Sequence, residues 1–200
     1  VVECWGSNER GQLGVGSRTG SVDPVRVPGL VGVVALSTSS SRSDFDPDRA
    51  CAVTGTGEVW CWGADELAEF YGSDPDADRL SPVRVTGIDD AAAVAVGTWH
   101  TCIVTLDGDV RCWGGNWRGQ LGDGTAIERG VVTPVVGIDD VIAVAGGVNF
   151  TCALREPPSS PVWCWGSNNF GALGVEGVES TSVPLPVPDV SAAELITLGA

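Results

Sequence analysis

Short apolar runs alternate with glycine-containing turns along the whole chain. Around residues 55–57 and 106–108, apolar residues stand on both sides of a turn that ends in glycine. This arrangement predicts β-hairpins, and Gly57 and Gly108 are expected in the left-handed conformation that three-residue turns need. Helical periodicity is almost absent, so the pattern predicts a chain built from β-strands.

The tripeptide Cys-Trp-Gly marks a unit that occurs four times. Its copies begin at Cys4, Cys61, Cys112 and Cys164. The intervals between them are 57, 51 and 52 residues. After each tripeptide come a glycine-rich turn, a proline and a valine-rich run, and we expect Pro24, Pro82 and Pro134 at strand starts, where the missing N–H costs little. A period of about 50 residues with four short strands predicts the blades of a β-propeller.

The whole chain, residues 1–200, is therefore a single repeat module without a linker. Counted from cysteine to cysteine, it has a partial start at 1–50, units at 51–101 and 102–151, and a last unit at 152–200 with an incomplete end. The predicted fold class is all-β: an open propeller fragment of about four four-stranded blades.

Six of the seven cysteines fall opposite one another across the predicted hairpins. Directly opposed residues of antiparallel strands lie close enough for a disulfide. The expected bonds are Cys51–Cys61, Cys102–Cys112 and Cys152–Cys164. Cys4 is left unpaired, because its expected mate would precede the first residue of the chain. Disulfides are rare in the cytosol, so we expect an extracellular, periplasmic or cell-surface protein; buried free thiols in a cytosolic protein are the alternative.

The charge balance argues against a nucleic-acid partner. The formal net charge is −15, lysine is absent, and all 11 cationic residues are arginine. Nucleic-acid binding needs a basic stripe, which this chain lacks. The charge suits a basic protein partner, and the solubility of an exposed protein is the simpler explanation. No apolar run reaches the roughly 18 residues of a membrane-spanning helix.

Metal binding and catalysis find little support in the sequence. The cysteines stand ten or twelve residues apart, unlike the close spacing of structural zinc ligands. Alternating aspartates are weak calcium candidates that lack the glycine and glutamate of an EF-hand loop; they are Asp44, Asp46, Asp48, Asp74, Asp76 and Asp78. His100, the single histidine, occupies a position that holds Phe150 in the next unit, which indicates packing. We predict neither enzyme activity nor a cofactor.

Two aromatic residues at non-repeating turn positions are the best candidates for a binding surface. The recurring tryptophans are expected in the core; they are Trp5, Trp62, Trp113 and Trp165. Trp117 and Phe170 instead occupy variable turn positions, and large aromatic residues often anchor interfaces. We expect Trp117, Arg118 and Phe170 to lie on one propeller rim and to contact a protein partner. Packing against the adjacent blade is the alternative.

The unit resembles the regulator of chromosome condensation repeat. Its best copy, residues 108–122, reads Gly-Asp-Val-Arg-Cys-Trp-Gly-Gly-Asn-Trp-Arg-Gly-Gln-Leu-Gly, and the resemblance covers essentially the whole chain. It implies a seven-bladed β-propeller, of which about four blades are present, that acts as a noncatalytic scaffold for protein–protein interaction. The second copy departs from the pattern, because residues 63–72 lack its asparagine, glycine and glutamine and residues 39–48 add length.

The cysteine pair in each unit is similar to that of bacterial secreted members of the family, which include the type II β-lactamase inhibitory protein. The resemblance therefore implies a secreted or cell-surface bacterial protein. Inhibition of a secreted enzyme is a narrower alternative. Guanine-nucleotide exchange, the activity of the nuclear namesake, is supported by the family name alone.

Overall fold

The computed structural model describes residues 1–39, 48–65, 78–156, 162–190 and 193–198. The first sheet contains β1 (Glu3–Gly6) and β2 (Ser21–Arg26). The second contains β3 (Val33–Thr38), β4 (Arg49–Thr54), β5 (Val59–Gly63) and β6 (Arg79–Arg84). The third contains β7 (Ala91–Val96), β8 (His100–Thr105), β9 (Val110–Gly114) and β10 (Arg129–Pro134). The fourth contains β11 (Val141–Gly146), β12 (Phe150–Arg155), β13 (Val162–Ser167) and β14 (Ser180–Pro186), with a short 3-10 helix at Asn169–Gly171.

Each of the three larger sheets is antiparallel, and its strands follow chain order from the inside outward. Residues of the first strands β3, β7 and β11 join residues 196–198 around one hollow of about 250 Å³. The first strands thus lie at a common axis, and the sheets radiate from it as propeller blades do. The expected all-β partial propeller is confirmed. Each four-stranded sheet begins with the strand that precedes the first cysteine of the corresponding sequence unit.

The register of the hairpins agrees with the sequence expectation. Val104 pairs with Val110 and Cys102 with Cys112, and the glycines that end the two turns have φ near +80° (Gly57 80°, Gly108 82°). The structure contains the three expected disulfides, Cys51–Cys61, Cys102–Cys112 and Cys152–Cys164. Cys4 is a free, half-buried thiol on β1, and burial raises the pKa of this thiol.

The prolines do not stand where the sequence pattern indicated. Pro24 and Pro82 are the fourth residues of their strands and Pro134 is the last residue of β10, so the expectation of strand starts was wrong. These strands are the outermost of their sheets. An outermost strand hydrogen-bonds on one side only, so a residue without an N–H can occupy its interior without breaking a ladder bond.

The recurring tryptophans form the core, with one exception. Trp62, Trp113 and Trp165 are fully buried, whereas Trp5 is 63% exposed, contrary to expectation. The indole N–H of Trp62 donates to the carbonyl of Gln12 in the preceding sheet at 2.9 Å. Trp5 lies in the first sheet, and among the described residues no earlier sheet covers it.

Candidate functional site

Chain topology brings two kinds of loop to the same end of each four-stranded sheet. In an antiparallel sheet, the connections between strands one and two and between strands three and four leave from the same end. In the third sheet these are residues 97–99 and 115–128, and in the fourth they are residues 147–149 and 168–179. We name this end of the two sheets the loop face. The candidate residues Trp117, Arg118 and Phe170 all lie on it.

A buried asparagine shapes the long loop of the third sheet. The side-chain oxygen of Asn116 accepts a hydrogen bond from the Leu121 N–H at 2.9 Å. Its NH₂ group donates to the carbonyls of Thr125 and Ile127 at 3.1 and 3.0 Å. An amide side chain suits this role because it donates and accepts at the same time. Asn168 forms the same set of bonds in the fourth sheet, so the two long loops share one frame.

The second sheet stabilises its long loop with an ion pair in place of the asparagine bonds. Asp65 stands where the other long loops have asparagine, and it is fully buried. A carboxylate cannot donate, and it instead pairs with Arg79 at 3.0 Å. Most of this loop, residues 66–77, lies outside the described residues, as does most of the irregular stretch 39–48.

A second carboxylate reinforces the loop of the third sheet. Asp123 accepts hydrogen bonds from Asn116, Thr125 and Arg129. Burial raises the pKa of Asp123, but these hydrogen bonds outweigh burial and the net pKa is lowered. The folded loop therefore favours the ionised form of Asp123.

Gln120 ties the underside of this loop to the fourth sheet. Its carbonyl accepts from the Trp165 indole N–H at 2.9 Å and from the Thr151 hydroxyl at 2.8 Å. Its side-chain oxygen accepts from the Arg118 backbone N–H at 2.9 Å. The hydrogen bonds of the Gln120 carbonyl attach the loop to the fourth sheet, so the exposed residues of the loop have a defined position.

His100 also lies in the contact between the third and fourth sheets, which we call the seam. It is fully buried, and its Nε2 lies 2.7 Å from the Thr151 hydroxyl oxygen. Because that hydroxyl donates to Gln120, Nε2 carries the proton and donates to Thr151. Burial lowers the pKa of His100 to about 3, and the Arg49 guanidinium contributes to the same shift. A buried, neutral imidazole with this bond packs the seam, and solvent has no access to it as a general base.

Trp117 is a half-exposed aromatic residue of the loop face that contacts a second tryptophan. Its ring packs edge to face on Trp99, with 5.6 Å between centroids and planes at 80°, yet 47% of Trp117 remains exposed. Trp99 belongs to the same sheet, so Trp117 is held by its own blade. Arg118, the next residue, is exposed. Sequence reasoning did not assign Trp99 to the site, although it is a turn aromatic at a position that holds Asn149 in the next sheet.

Phe170 lies on the equivalent loop of the fourth sheet, at the position that Arg118 occupies in the third. Its side chain is fully exposed, and its backbone adopts the left-handed conformation with φ 59°. The three candidates thus share one face but divide into two places: Trp117 with Arg118, and Phe170 alone.

The calcium candidates that the structure describes have other contacts. Asp48 accepts a hydrogen bond from the Gln12 side chain at 3.1 Å, and Asp78 pairs with Arg10 and Arg18. The other four, Asp44, Asp46, Asp74 and Asp76, lie outside the described residues. Within the described ranges, no three His, Cys, Asp or Glu side chains come together as a metal site. The same ranges contain no helix with the length and apolar character needed to cross a bilayer.

Comparison with known proteins finds one repeat family. Models of the regulator of chromosome condensation (RCC1) repeat match residues 4–42, 107–154 and 161–199, and a further model of this repeat matches residues 91–120. The human E3 ubiquitin-protein ligase HERC2 is 36% identical over 136 residues, which are 64% of this chain and 3% of the ligase. The ultraviolet-B receptor UVR8 of Arabidopsis thaliana is 29% identical over 176 residues, 87% of this chain and 39% of the receptor.

Among solved structures, Prp20p from Saccharomyces cerevisiae has a TM-score of 0.76 to this chain at 21% identity. The match covers 94% of this chain and 46% of Prp20p. At this identity the likeness shows the fold. The chain spans less than half the length of each of these three proteins.

Proposed function

Because the chain belongs to the regulator of chromosome condensation (RCC1) repeat family, we propose that it is a noncatalytic protein-binding scaffold whose contact surface is the loop face. The observation that carries the proposal is Trp117, which stays half exposed while Trp99 and the buried bonds of Gln120 hold its loop in place. An exposed aromatic residue of fixed geometry beside an arginine is the usual anchor of a protein interface.

The family supports the class of function. The Prp20p structure was reported together with its binding properties to Gsp1p and histones, which are proteins. The net charge of −15 favours partners with a basic surface, because opposite charges steer association.

We further propose that the protein works outside the cytosol, as a secreted or cell-surface bacterial protein. Three disulfides across successive hairpins support this compartment, because such bonds persist in oxidising surroundings. Counting thiols under denaturing, nonreducing conditions in protein isolated from its native cells tests the compartment. The six cysteines of the three hairpins are expected to be protected, and free thiols at these six positions would contradict the proposed compartment.

Photo-crosslinking in native extracts tests the binding face. A photoreactive side chain at position 118 should capture a protein, and Trp117→Ala should reduce the capture. Leu106 is the control position, because it is also exposed but lies at the hairpin tip on the opposite end of the sheet. Equal capture from positions 106 and 118 would overturn the assignment of the loop face. If the captured protein is a secreted enzyme that loses activity on binding, the function is the narrower one of inhibition.

A further inference from the structure

One arginine of the loop face has no carboxylate partner, although carboxylates outnumber arginines in this chain. The sequence contains 26 Asp and Glu residues and 11 arginines. Seven of the ten arginines in the described ranges form ion pairs with Asp or Glu. Arg118 is exposed, and its guanidinium pairs with no carboxylate in the described part of the chain. Its N–H groups are therefore available to a ligand.

The contact between the first and second sheets shows how an arginine at this position is paired. Arg10 holds the place of Arg118 in the first sheet, because each stands six residues after the cysteine of Cys-Trp-Gly. The Arg10 Nε lies 3.2 Å from the Asp78 carboxylate of the second sheet. Arg18 pairs with the same carboxylate. The Asp78 side chain is only 7% exposed, so the ion pair belongs to the contact between these two sheets.

The contact between the third and fourth sheets has the same frame. The backbone N–H groups of Arg10 and Arg118 both donate to a glutamine side chain two residues later, at 3.0 and 2.9 Å. The carbonyls of these glutamines, Gln12 and Gln120, both accept from an indole N–H of the next sheet at 2.9 Å. Arg10 and Arg118 therefore begin from equivalent backbone positions.

The fourth sheet has no carboxylate at the matching place. The strand pairing defines that place, because one residue of the outermost strand lies opposite the glycine of Cys-Trp-Gly in each sheet. One residue earlier stands Asp78 in the second sheet and Ser180 in the fourth. Ser180 is exposed. Arg118 thus keeps the backbone position of Arg10, while a serine replaces the carboxylate that Arg10 binds.

Arg118 is also the one cationic residue in the four loops of the loop face. These loops contain four carboxylates, which are Asp123, Glu128, Glu176 and Glu179. A lone cation on an acidic face attracts one carboxylate, and the surrounding charge repels further acidic groups of a partner. The net charge of −15 attracts a basic surface over distance. The face therefore selects a carboxylate that is embedded in a basic surface.

We propose that Arg118 binds an aspartate or glutamate carboxylate of a protein partner, beside Ser180, while a neighbouring apolar side chain of the partner packs on Trp117. This deepens, and rests on, the proposed scaffold function. A guanidinium suits this role because its planar N–H groups match the two oxygens of a carboxylate. The half-exposed Trp117 ring supplies apolar surface next to it. The partner motif is thus an acidic residue adjacent to a large apolar one.

The probe is the peptide acetyl-Lys-Leu-Glu-Lys-amide, titrated into the full 200-residue chain and followed by ¹⁵N–¹H correlation NMR. We expect saturable shifts of the Trp117 indole N–H and the Arg118 Nε–H. The matched control, acetyl-Lys-Leu-Gln-Lys-amide, lacks only the carboxylate and should bind about threefold more weakly, the size of an exposed ion pair. Absence of saturable shifts, or equal binding of the two peptides, would overturn the proposal.

The two peptides also separate the effect of Arg118 from that of the overall charge. The glutamine peptide carries one more net positive charge, so the acidic face alone would favour it. A preference for the glutamate peptide therefore reports a local cation. A preference for the glutamine peptide would show that the overall charge decides binding, and it would contradict the role of Arg118.

Variants at two positions test where the carboxylate lies, and the spectrum itself reports whether each variant is folded. Arg118→Gln should abolish the preference for the glutamate peptide. Ser180→Asp should place a carboxylate of the chain beside Arg118, as Asp78 lies beside Arg10, and should also abolish the preference. Ser180→Asn has the same shape without the charge and should leave the preference intact. A preference that survives Arg118→Gln, or equal effects of the two changes at Ser180, would show that the assignment is wrong.

The outcome is separable from the proposed function. If position 118 captures a protein but the glutamate and glutamine peptides bind equally, the scaffold function stands and the carboxylate specificity is wrong. If the glutamate peptide is preferred but no protein is captured, Arg118 binds carboxylates without the proposed role in a partner complex.

Discussion

The third and fourth sheets have the same interior and different tips. In both, a tryptophan is fully buried and a disulfide joins the middle strands at the same register (Trp113 and Trp165; Cys102–Cys112 and Cys152–Cys164). Their long loops are shaped by the same asparagine bonds, yet one tip presents a half-exposed tryptophan and the other a fully exposed phenylalanine. The comparison teaches that the repeated positions determine the fold, and the positions that vary between repeats determine what the face can bind.

Replacing a buried tryptophan should destabilise the fold far more than replacing an exposed one, and this is the largest difference that we expect between the two roles. Trp165→Ala leaves a cavity and removes one of the two hydrogen bonds to the Gln120 carbonyl, so we expect a loss of about 3–5 kcal/mol in the free energy of unfolding. Trp117→Ala, its matched control, should cost less than about 1.5 kcal/mol because the ring is half exposed and touches mainly Trp99. Urea unfolding followed by circular dichroism measures both. Equal losses would show that Trp117 belongs to the core.

The disulfides should contribute the next largest effect, and they should do so equally in the two sheets. Replacing Cys102 and Cys112 together by alanine removes an 11-residue loop closure, and we expect a loss of roughly 3 kcal/mol. Replacing Cys152 and Cys164 should have a similar effect, because the enclosed segment is only two residues longer. Cys4→Ser controls for the chemistry of the change and should leave unfolding within about 0.5 kcal/mol. A large difference between the two pairs in urea unfolding would break the equivalence of the sheets.

His100 and Phe150 occupy the same position in the two sheets, so exchanging one for the other tests the seam by pH. In the folded protein the pKa of His100 is about 3, whereas in the unfolded chain it is near 6.5. The unfolded state therefore takes up the proton first, and stability is lost as pH falls below about 6.5 toward 3. Between pH 7.5 and 4.5 we expect a loss of roughly 2–3 kcal/mol from this residue.

The variant His100→Phe removes the titrating imidazole and so isolates its contribution to the pH dependence of stability. At pH 7.5 it loses the bond to Thr151 and should cost about 1 kcal/mol. Its stability should then fall less with acid than that of the parent chain, because the carboxylates are common to both. Parallel pH profiles in urea unfolding would contradict the buried, neutral state of His100.

Features that recur along the chain could be predicted from the sequence, because a repeat states the same physical requirement several times. Gly57 and Gly108 end the turns of the first two cysteine hairpins and set their register, and the register places the cysteines opposite one another. Two local expectations failed because they depend on neighbours: no earlier sheet covers Trp5 within the described ranges, and Pro82 is accommodated by an outermost strand.

The loop face was predictable in part. Trp117 stands out in the sequence because its position varies between copies, and in the structure it lies with Arg118 on the loop face. The edge-to-face contact of Trp117 with Trp99 was not predictable, because it depends on where two separate loops of the third sheet meet. At Asp65 the recurring asparagine is replaced, and an ion pair with Arg79 of β6 takes over its structural role.

The smallest effect on stability, and the sharpest test of the comparison, is an exchange of the two tips. Arg118 and Phe170 hold the same position in the two loops, and both side chains are exposed. The double variant Arg118→Phe with Phe170→Arg should therefore change the free energy of unfolding by no more than about 0.5 kcal/mol. Binding of the captured partner should nevertheless weaken, since arginine and phenylalanine offer different contacts to a partner. An exchange that alters unfolding but leaves partner binding intact would mean that these tips belong to the fold, and that the face which binds lies elsewhere.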